Sequence, residues 1–214
     1  WTQLILPAVY QYYNADVVVN PADANEVYIC MANGAANAKV FKSTDGGQSW
    51  INYTGTMLNG KYIYALNFQG GTNGGIYASS QDNPSKVFYR DNSMSDWVDF
   101  SSGLFPNHLA SAPPIIFYRD NKIRLAGLRG IMESPLYSQG APIAQAMCNR
   151  EVVGCEKDTV EFYDYSILNY NGATWQWNFP GASWVSSTTA KNPKVLYAAP
   201  GIYNVSLTVT DSNG

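Results

Sequence analysis

The chain has little charge for its length of 214 residues, since Asp, Glu, Lys and Arg together make up only 14%. The 13 basic and 16 acidic side chains give a net charge of −3, and the basic ones are scattered singly. Nucleic-acid binding needs clustered basic side chains, so the composition excludes a dedicated nucleic-acid-binding protein. No run of eighteen apolar residues occurs, which excludes a membrane-spanning helix in this sequence.

Histidine and cysteine are scarce, with one His and three Cys. The single histidine, His108, lies in a segment with Pro and Asn. A Ser–His or Cys–His catalytic pair and a zinc site are therefore disfavoured, and no metal site or cofactor is predicted. Cys30 lies in an apolar run and is predicted to be a buried free thiol. Cys148 and Cys155 flank six residues that could form a hairpin, which predicts a disulfide suited to an exported protein.

The abundant residue types favour β-structure. Hydrophobic residues make up 46% of the chain, and 16 of its residues are Tyr. Tyr, Thr and Val fit a half-buried pleated surface. Short alternating segments are separated by Gly, Pro and Asn turns, and no segment shows a sustained helical period. The sequence therefore predicts an all-β chain.

An internal repeat organises the first part of the chain. The segment Val40–Trp50 aligns without gaps with Val87–Trp97, and the residues after Trp1 fit the pattern that follows both tryptophans. Trp1, Trp50 and Trp97 are 49 and 47 residues apart. A period of this length, made of short strands, is typical of a four-stranded propeller blade. A third unit over residues 114–136 lacks the closing tryptophan strand.

One turn of this repeat carries a recognisable motif. Residues 43–50, Ser-Thr-Asp-Gly-Gly-Gln-Ser-Trp, resemble the Asp-box (BNR repeat) of sialidase-like propellers, Ser-x-Asp-x-Gly-x-x-Trp. The matching positions are Ser43, Asp45, Gly47 and Trp50. The second copy keeps only the tryptophan and has Arg90, Asn92 and Met94 at the other positions. A short carboxylate can bind the backbone of its own turn, so we predict that Asp45 stabilises a turn and is not a catalytic acid.

The pattern changes at residue 141, where strands separated by Gly and Pro indicate an immunoglobulin-like sandwich. Residues 142–214 resemble a PKD domain, on the segments Val160–Ser166, Trp175–Phe179, Asn192–Pro193 and Pro200–Val209. Trp175 and Trp177 alternate and are predicted on opposite faces. Phe179-Pro-Gly181 stands where many members carry Phe-Gly-Asp. The calcium site that some members of the family have is therefore only weakly implied for this chain.

The predicted organisation is therefore a partial β-propeller over residues 1–137 and a PKD domain over residues 142–214. We expect the first domain to be truncated at its N-terminal side and the second at its C-terminal side. The combination resembles large secreted proteins of Bacteroidota, which implies an extracellular or cell-surface location.

Three functions fit this organisation. The first is binding or adhesion to glycans or other surface ligands, with the PKD region as a spacer or interaction module. Candidate stacking platforms for a sugar are Tyr62 and Tyr64, together with Tyr10, Tyr12 and Tyr13. The second is a glycoside hydrolase, and the third is an appendage of a secreted peptidase.

A glycoside hydrolase needs two carboxylates that flank the scissile bond. The available side chains are Asp82, Asp91, Asp96, Asp99 and Asp120, with Arg90, Arg119, Arg124 and Arg129. Most of these aspartates stand in turns, where local hydrogen bonding accounts for them. No catalytic pair is predicted, any catalytic residues would lie outside this sequence, and we expect binding or adhesion.

Overall fold

A computed structural model describes residues 4, 6–7, 15–32, 35–105, 115–117, 121–128, 130–154 and 158–212. The chain divides into a first unit, residues 1–117 with 122–139, and a second unit, residues 118–121 with 140–214. All the secondary-structure elements assigned within the described ranges are strands. These ranges contain no helix long and apolar enough to cross a membrane. Several residues considered above lie outside these ranges: Trp1, Tyr10, Tyr12, Tyr13, His108, Arg119, Asp120, Arg129 and Cys155.

The first unit contains two complete four-stranded antiparallel sheets whose strands follow chain order. The strands of the first are β1 (Ala15–Asn20), β2 (Asp23–Met31), β3 (Val40–Ser43) and β4 (Ile51–Asn52). Those of the second are β5 (Ile63–Gln69), β6 (Gly75–Ser80), β7 (Val87–Arg90) and β8 (Val98–Asp99). A meander of four short strands is a propeller blade, and we call these sheets the first and second blade.

The two blades repeat the same hydrogen bonds. In the first blade, the Thr54 hydroxyl accepts from Val40 N at 3.1 Å and donates to Val40 O at 3.3 Å. In the second, the Ser101 hydroxyl accepts from Val87 N at 3.0 Å and donates to Val87 O at 3.2 Å. Both hydroxyls follow the blade tryptophan by four residues, so the predicted repeat is confirmed.

The two blades share one hydrophobic core, formed by Tyr28, Cys30, Val40, Tyr53, Leu58, Ile63, Leu66, Phe68, Ile76, Ala78, Phe88 and Trp97. The Trp97 indole N–H donates to the carbonyl of Tyr53 in the first blade at 2.8 Å. Cys30 is a fully buried free thiol, as predicted. Burial raises the pKa of this thiol to about 12, which disfavours the nucleophilic thiolate.

A third sheet completes the first unit. Its strands are β9 (Ile115–Phe117), β10 (Lys122–Gly127) and β11 (Gly130–Pro135), in the order β11-β10-β9. All pairs are antiparallel, and β10 lies in the middle. Within the described residues this sheet has three strands where each blade has four.

The second unit is a β-sandwich. One sheet has the order β12-β13-β16-β15, and β14 pairs with β17. The bounds are β12 (Ala146–Cys148), β13 (Val160–Asp164), β14 (Thr174–Asn178), β15 (Trp184–Val185), β16 (Lys194–Leu196) and β17 (Ser206–Thr210). Trp177 is 1% exposed in the core with Phe162 and Val195, and Trp175, half-buried against Tyr170, packs against the same core. The prediction that the two tryptophans lie on opposite faces is therefore wrong, because residues two apart in a strand share a face. The predicted fold class, all-β with propeller blades and an immunoglobulin-like sandwich, is confirmed.

Candidate functional site

The connections of the two blades lie at two opposite ends. Because neighbouring strands are antiparallel, the β1–β2, β3–β4, β5–β6 and β7–β8 turns share one end, which we call the turn end. The β2–β3, β4–β5 and β6–β7 connections share the other, the loop end. The predicted motif at residues 43–50 lies at the turn end, and Tyr62 lies at the loop end.

Asp45 is bound within its own turn at the turn end. Its carboxylate accepts hydrogen bonds from the Ser43 hydroxyl at 2.7 Å and from the N–H groups of Gln48 at 3.0 Å and Ser49 at 2.9 Å. The Ser49 hydroxyl also donates to it at 2.5 Å. These bonds, that of the Ser49 hydroxyl above all, lower the pKa of Asp45 to about 2. A carboxylate with this pKa is poorly suited to donate a proton near neutral pH.

Gly47 and Trp50 complete this turn. Gly47 has a φ of 89°, and its N–H donates to the Ser43 hydroxyl at 2.8 Å. A side chain at Gly47 would be strained by this φ and would approach Leu4 within 2.9 Å. Trp50 is half-buried against the small cluster around Phe41. The four motif positions thus lie in one turn, and their purely structural role stays a prediction.

The corresponding turn of the second blade makes different contacts. The Arg90 guanidinium lies 3.8 Å from the centre of the Tyr53 ring and donates to the Tyr53 carbonyl at 3.0 Å. Asn92 accepts a hydrogen bond from Lys42 of the first blade at 2.6 Å. Two positions that depart from the motif therefore join the blades to each other.

Lys42 also forms a buried ion pair with Glu26, with Nζ and Oε1 2.6 Å apart. The two side chains are only 9% and 10% exposed. Glu26 accepts further hydrogen bonds from Tyr28 at 2.8 Å and Asn20 at 2.5 Å. Burial raises the pKa of Glu26, but the hydrogen bonds, led by that of Lys42, outweigh it and hold the pKa below its ordinary value. The two charges are thus satisfied by partners within the blades.

A cation, an aromatic ring and a carboxylate meet at the loop end, and we call them the loop-end cluster: Lys39, Tyr62 and Asp82. Lys39 Nζ lies 5.6 Å from the centre of the Tyr62 ring. Tyr62 N donates to Asp82 Oδ1 at 3.3 Å. Tyr62 is 54% exposed, so its ring is accessible beside the two charged side chains.

The charged members of the cluster are more enclosed than the ring. Lys39 is buried and donates to the carbonyl of Ala32 at 3.3 Å. Burial lowers the pKa of Lys39, while the Asp82 carboxylate acts to raise it, and the net shift is downward. Asp82 Oδ2 is buried without a hydrogen-bond partner in the described part of the chain. A buried acceptor in this state is favoured to bind a water or ligand hydroxyl.

Tyr64, the other candidate platform, is not part of this cluster. It is half-buried in β5, at an irregularity between Ile63 and Ala65 where the pairing register shifts. A bulge disrupts the alternation that would place Tyr64 on the same face as Tyr62. Within the described structure, no ring contact or hydrogen bond links Tyr64 to the loop-end cluster.

The other candidate carboxylates of the second blade serve structural bonds. Asp96 accepts hydrogen bonds from the N–H groups of Thr56 at 3.0 Å and Met57 at 3.2 Å. Asp99 pairs with Lys86 at 2.5 Å. The loop-end cluster contains one carboxylate, whereas glycoside hydrolysis uses two. The side chains of the loop-end cluster are suited to binding a ligand.

The predicted disulfide stays a prediction, because Cys155 lies outside the described residues. Cys148 is half-buried against the sandwich core. Among the residues that the structure describes, no group of three or more His, Cys, Asp and Glu side chains is placed to hold a metal ion.

Comparison with known proteins identifies one family in the second unit. The PKD domain model matches residues 139–214, about a third of the chain. No curated protein matches. Among solved structures, YCF48 from Cyanidioschyzon merolae is 13% identical with a TM-score of 0.43, and the match covers 96% of this chain and 59% of that one. A structure of YCF48 bound to D1 peptide is 12% identical with a TM-score of 0.37, covering 73% and 53%. The chain thus spans little more than half of either.

Proposed function

We propose that this chain is part of an extracellular binding protein whose blades recognise glycans or similar hydroxyl-rich surface ligands at the loop-end cluster. The observation that carries the proposal is the exposed Tyr62 ring beside Lys39 and the unpartnered Oδ2 of Asp82. The apolar face of a sugar can stack on an accessible tyrosine, while a few fixed polar groups set its orientation. Asp82 supplies an acceptor for a ligand hydroxyl group, and Lys39 places its ammonium group beside the ring.

The rest of the chain is consistent with this role. The PKD match over residues 139–214 supports an extracellular interaction module, which we propose serves as a spacer. The Asp-box resemblance of residues 43–50 and the resemblance to secreted proteins of Bacteroidota support export. In the proposed domain organisation, residues 1–137 carry the recognition surface and residues 142–214 the spacer.

The test combines binding and turnover on the 214-residue chain. A panel of immobilised polysaccharides and sialylated glycans is incubated with the protein, and retention and released reducing sugar are measured together. We expect retention without release, and a more than about tenfold loss of affinity for Tyr62→Ala, because a stacked aromatic ring makes a large share of such a contact. Asp82→Asn, which keeps the size of the side chain, is expected to weaken binding less.

Tyr165→Ala is the matched control, since Tyr165 is 49% exposed and belongs to the second unit. Equal retention by wild type and Tyr62→Ala would refute the loop-end cluster as the site. Release of reducing sugar would favour the glycoside hydrolase alternative instead.

A further inference from the structure

Three polar side chains of the second blade are almost completely buried. Gln69 at the end of β5, Tyr77 in β6 and Tyr89 in β7 are 1%, 0% and 0% exposed. The Tyr77 hydroxyl donates to Gln69 Oε1 at 3.1 Å, and the centres of the Tyr77 and Tyr89 rings lie 5.0 Å apart. Buried polar groups of this kind need hydrogen-bond partners, because a buried group without one loses its hydration uncompensated.

Residues 137 and 138, which follow β11, supply such partners. Tyr137 N donates to the Tyr77 hydroxyl at 2.8 Å. Gln69 Nε2 donates to the Ser138 carbonyl at 2.7 Å. Ser138 Oγ lies 2.9 Å from the Tyr89 hydroxyl, within hydrogen-bond distance. Two consecutive residues thus bind buried side chains from three strands of the second blade.

The Tyr137 ring adds an aromatic contact to these hydrogen bonds. Its centre lies 4.3 Å from that of the Tyr89 ring, and the two planes are 22° apart. The Phe100 ring meets it edge-on, with the centres 5.9 Å apart. Aromatic pairs stabilise a contact beyond the area that they bury. Although Tyr137 is 44% exposed, its ring is therefore held against the second blade.

The equivalent position of the first blade also binds the sheet that follows. In the internal repeat, Tyr89 aligns with Lys42, which donates to Asn92 of the second blade fifty positions later. Tyr89 contacts Ser138 forty-nine positions later. The repeat thus places a polar contact to the next sheet at this point of β3 and of β7, with different side chains in each.

The place of these contacts along the chain decides what they can do. β11 pairs with β10 from Gly130 to Pro135, and the PKD match begins at residue 139. From the second unit backwards, the chain therefore reaches Ser138 and Tyr137 before the end of β11. A pull on the chain from that side acts on the contacts of these two residues before it can peel β11 from β10.

We propose that Tyr137 and Ser138 form an anchoring strap, which holds the end of β11 on the second blade and must be released before β11 can be peeled from β10. The strap protects the third sheet from a pull transmitted through the second unit. This inference stands independently of the loop-end cluster and of any ligand.

Chymotrypsin tests the strap, because it cleaves after tyrosine and the bond between Tyr137 and Ser138 lies within the strap. The Tyr137 ring must leave Tyr89 to enter the protease, so the cleavage rate measures the population of the open strap. The 214-residue chain is digested under native conditions, and mass spectrometry follows the peptides that begin at Ser138. We expect the double variant Tyr77→Phe, Tyr89→Phe to be cleaved there at least about tenfold faster than wild type, because two hydrogen bonds to the strap are lost.

Tyr28→Phe is the matched control. Tyr28 is also fully buried in the first unit, but its hydroxyl binds Glu26 and not the strap. We expect no comparable acceleration of the cleavage after Tyr137 in this variant. Equal rates in wild type and the double variant, or an equal acceleration by Tyr28→Phe, would overturn the strap.

Native-state hydrogen exchange is the second measurement. The Tyr137 amide of the wild-type chain should be protected, and release of the strap in the double variant should speed exchange of the β11 amides that bind β10. Should the double variant fail to fold, Tyr77→Phe alone replaces it, and the wild-type exchange of Tyr137 still decides. Rapid exchange of that amide in wild type refutes the strap, and faster cleavage with unchanged exchange in β11 refutes its role in holding the strand.

Discussion

Replacing Lys42 by Met tests whether the buried ion pair within the first blade stabilises the fold. The variant keeps an unbranched stem beside the Tyr28 and Tyr53 rings, whose centres lie 5.3 and 5.7 Å from Nζ, but removes the charge. It leaves the Glu26 carboxylate nine-tenths buried without its cation. Breaking a buried pair in this way costs about 3–5 kcal/mol. Because Tyr28 and Asn20 still donate to Glu26, we expect the low end, about 3 kcal/mol.

A double-mutant cycle separates the pair from the surrounding packing. Glu26→Gln removes the partner charge, and the double variant Lys42→Met, Glu26→Gln has no unpaired ion. Its destabilisation should therefore be smaller than the sum of the two single effects by more than about 1 kcal/mol.

The assay is urea unfolding of the 214-residue chain followed by near-ultraviolet circular dichroism. Lys194→Met is the control, because Lys194 and Glu161 form a pair at 2.5 Å whose side chains are 55% and 34% exposed. Exposed pairs contribute about 0–1 kcal/mol. Equal destabilisation by Lys42→Met and Lys194→Met would refute the argument from burial.

The effect should also depend on pH with a definite sign. The folded-state pKa of Glu26 lies below its ordinary value of 4.5. A carboxylate of this kind contributes stability above its unfolded pKa and loses it as pH falls through the folded pKa. The difference between wild type and Lys42→Met should therefore shrink below about pH 4.5.

Three further outcomes are expected. Trp97→Ala should cost about 3–5 kcal/mol in urea unfolding, and Trp97→Phe less, since Phe keeps a ring and loses the indole bond to Tyr53; similar costs would mean that packing of the ring is unimportant. Asp45→Ala should lower the melting temperature at neutral pH, with the difference lost as pH falls from 3.8 towards the folded pKa of about 2, and a pH-independent difference would exclude the carboxylate bonds. Under denaturing, non-reducing conditions, alkylation of exported protein should modify one thiol and leave Cys148 and Cys155 unmodified, and three modified thiols would exclude the disulfide.

Much of the fold could be predicted because its signals are local. The tryptophan spacing and the turn residues fix the length of a blade, and the hydroxyl four residues after each tryptophan closes it. In the second unit, the two-residue period of a strand accounts for Trp175 and Trp177 both facing the core. Each of these features depends on residues close together in the sequence, where pattern and structure are tightly linked.

The polar contacts between the blades could not be predicted, because they join residues far apart in the chain. Lys42 meets Asn92 fifty positions away, and Lys39 approaches Tyr62 and Asp82 only after the blades pack. One signal was available: Lys42 stands in a strand of apolar neighbours, and a buried charge needs a partner. The position of Tyr64 was beyond pattern analysis, since alternation does not reveal a bulge.

The Asp-box-like motif is complete in the first blade and mostly absent from the second, and the two turns make different contacts. The Asp45 carboxylate accepts its hydrogen bonds from residues of its own turn and not from the neighbouring blade. In the second blade, the motif positions taken by Arg90 and Asn92 bind the first blade instead, and only Trp97 is kept.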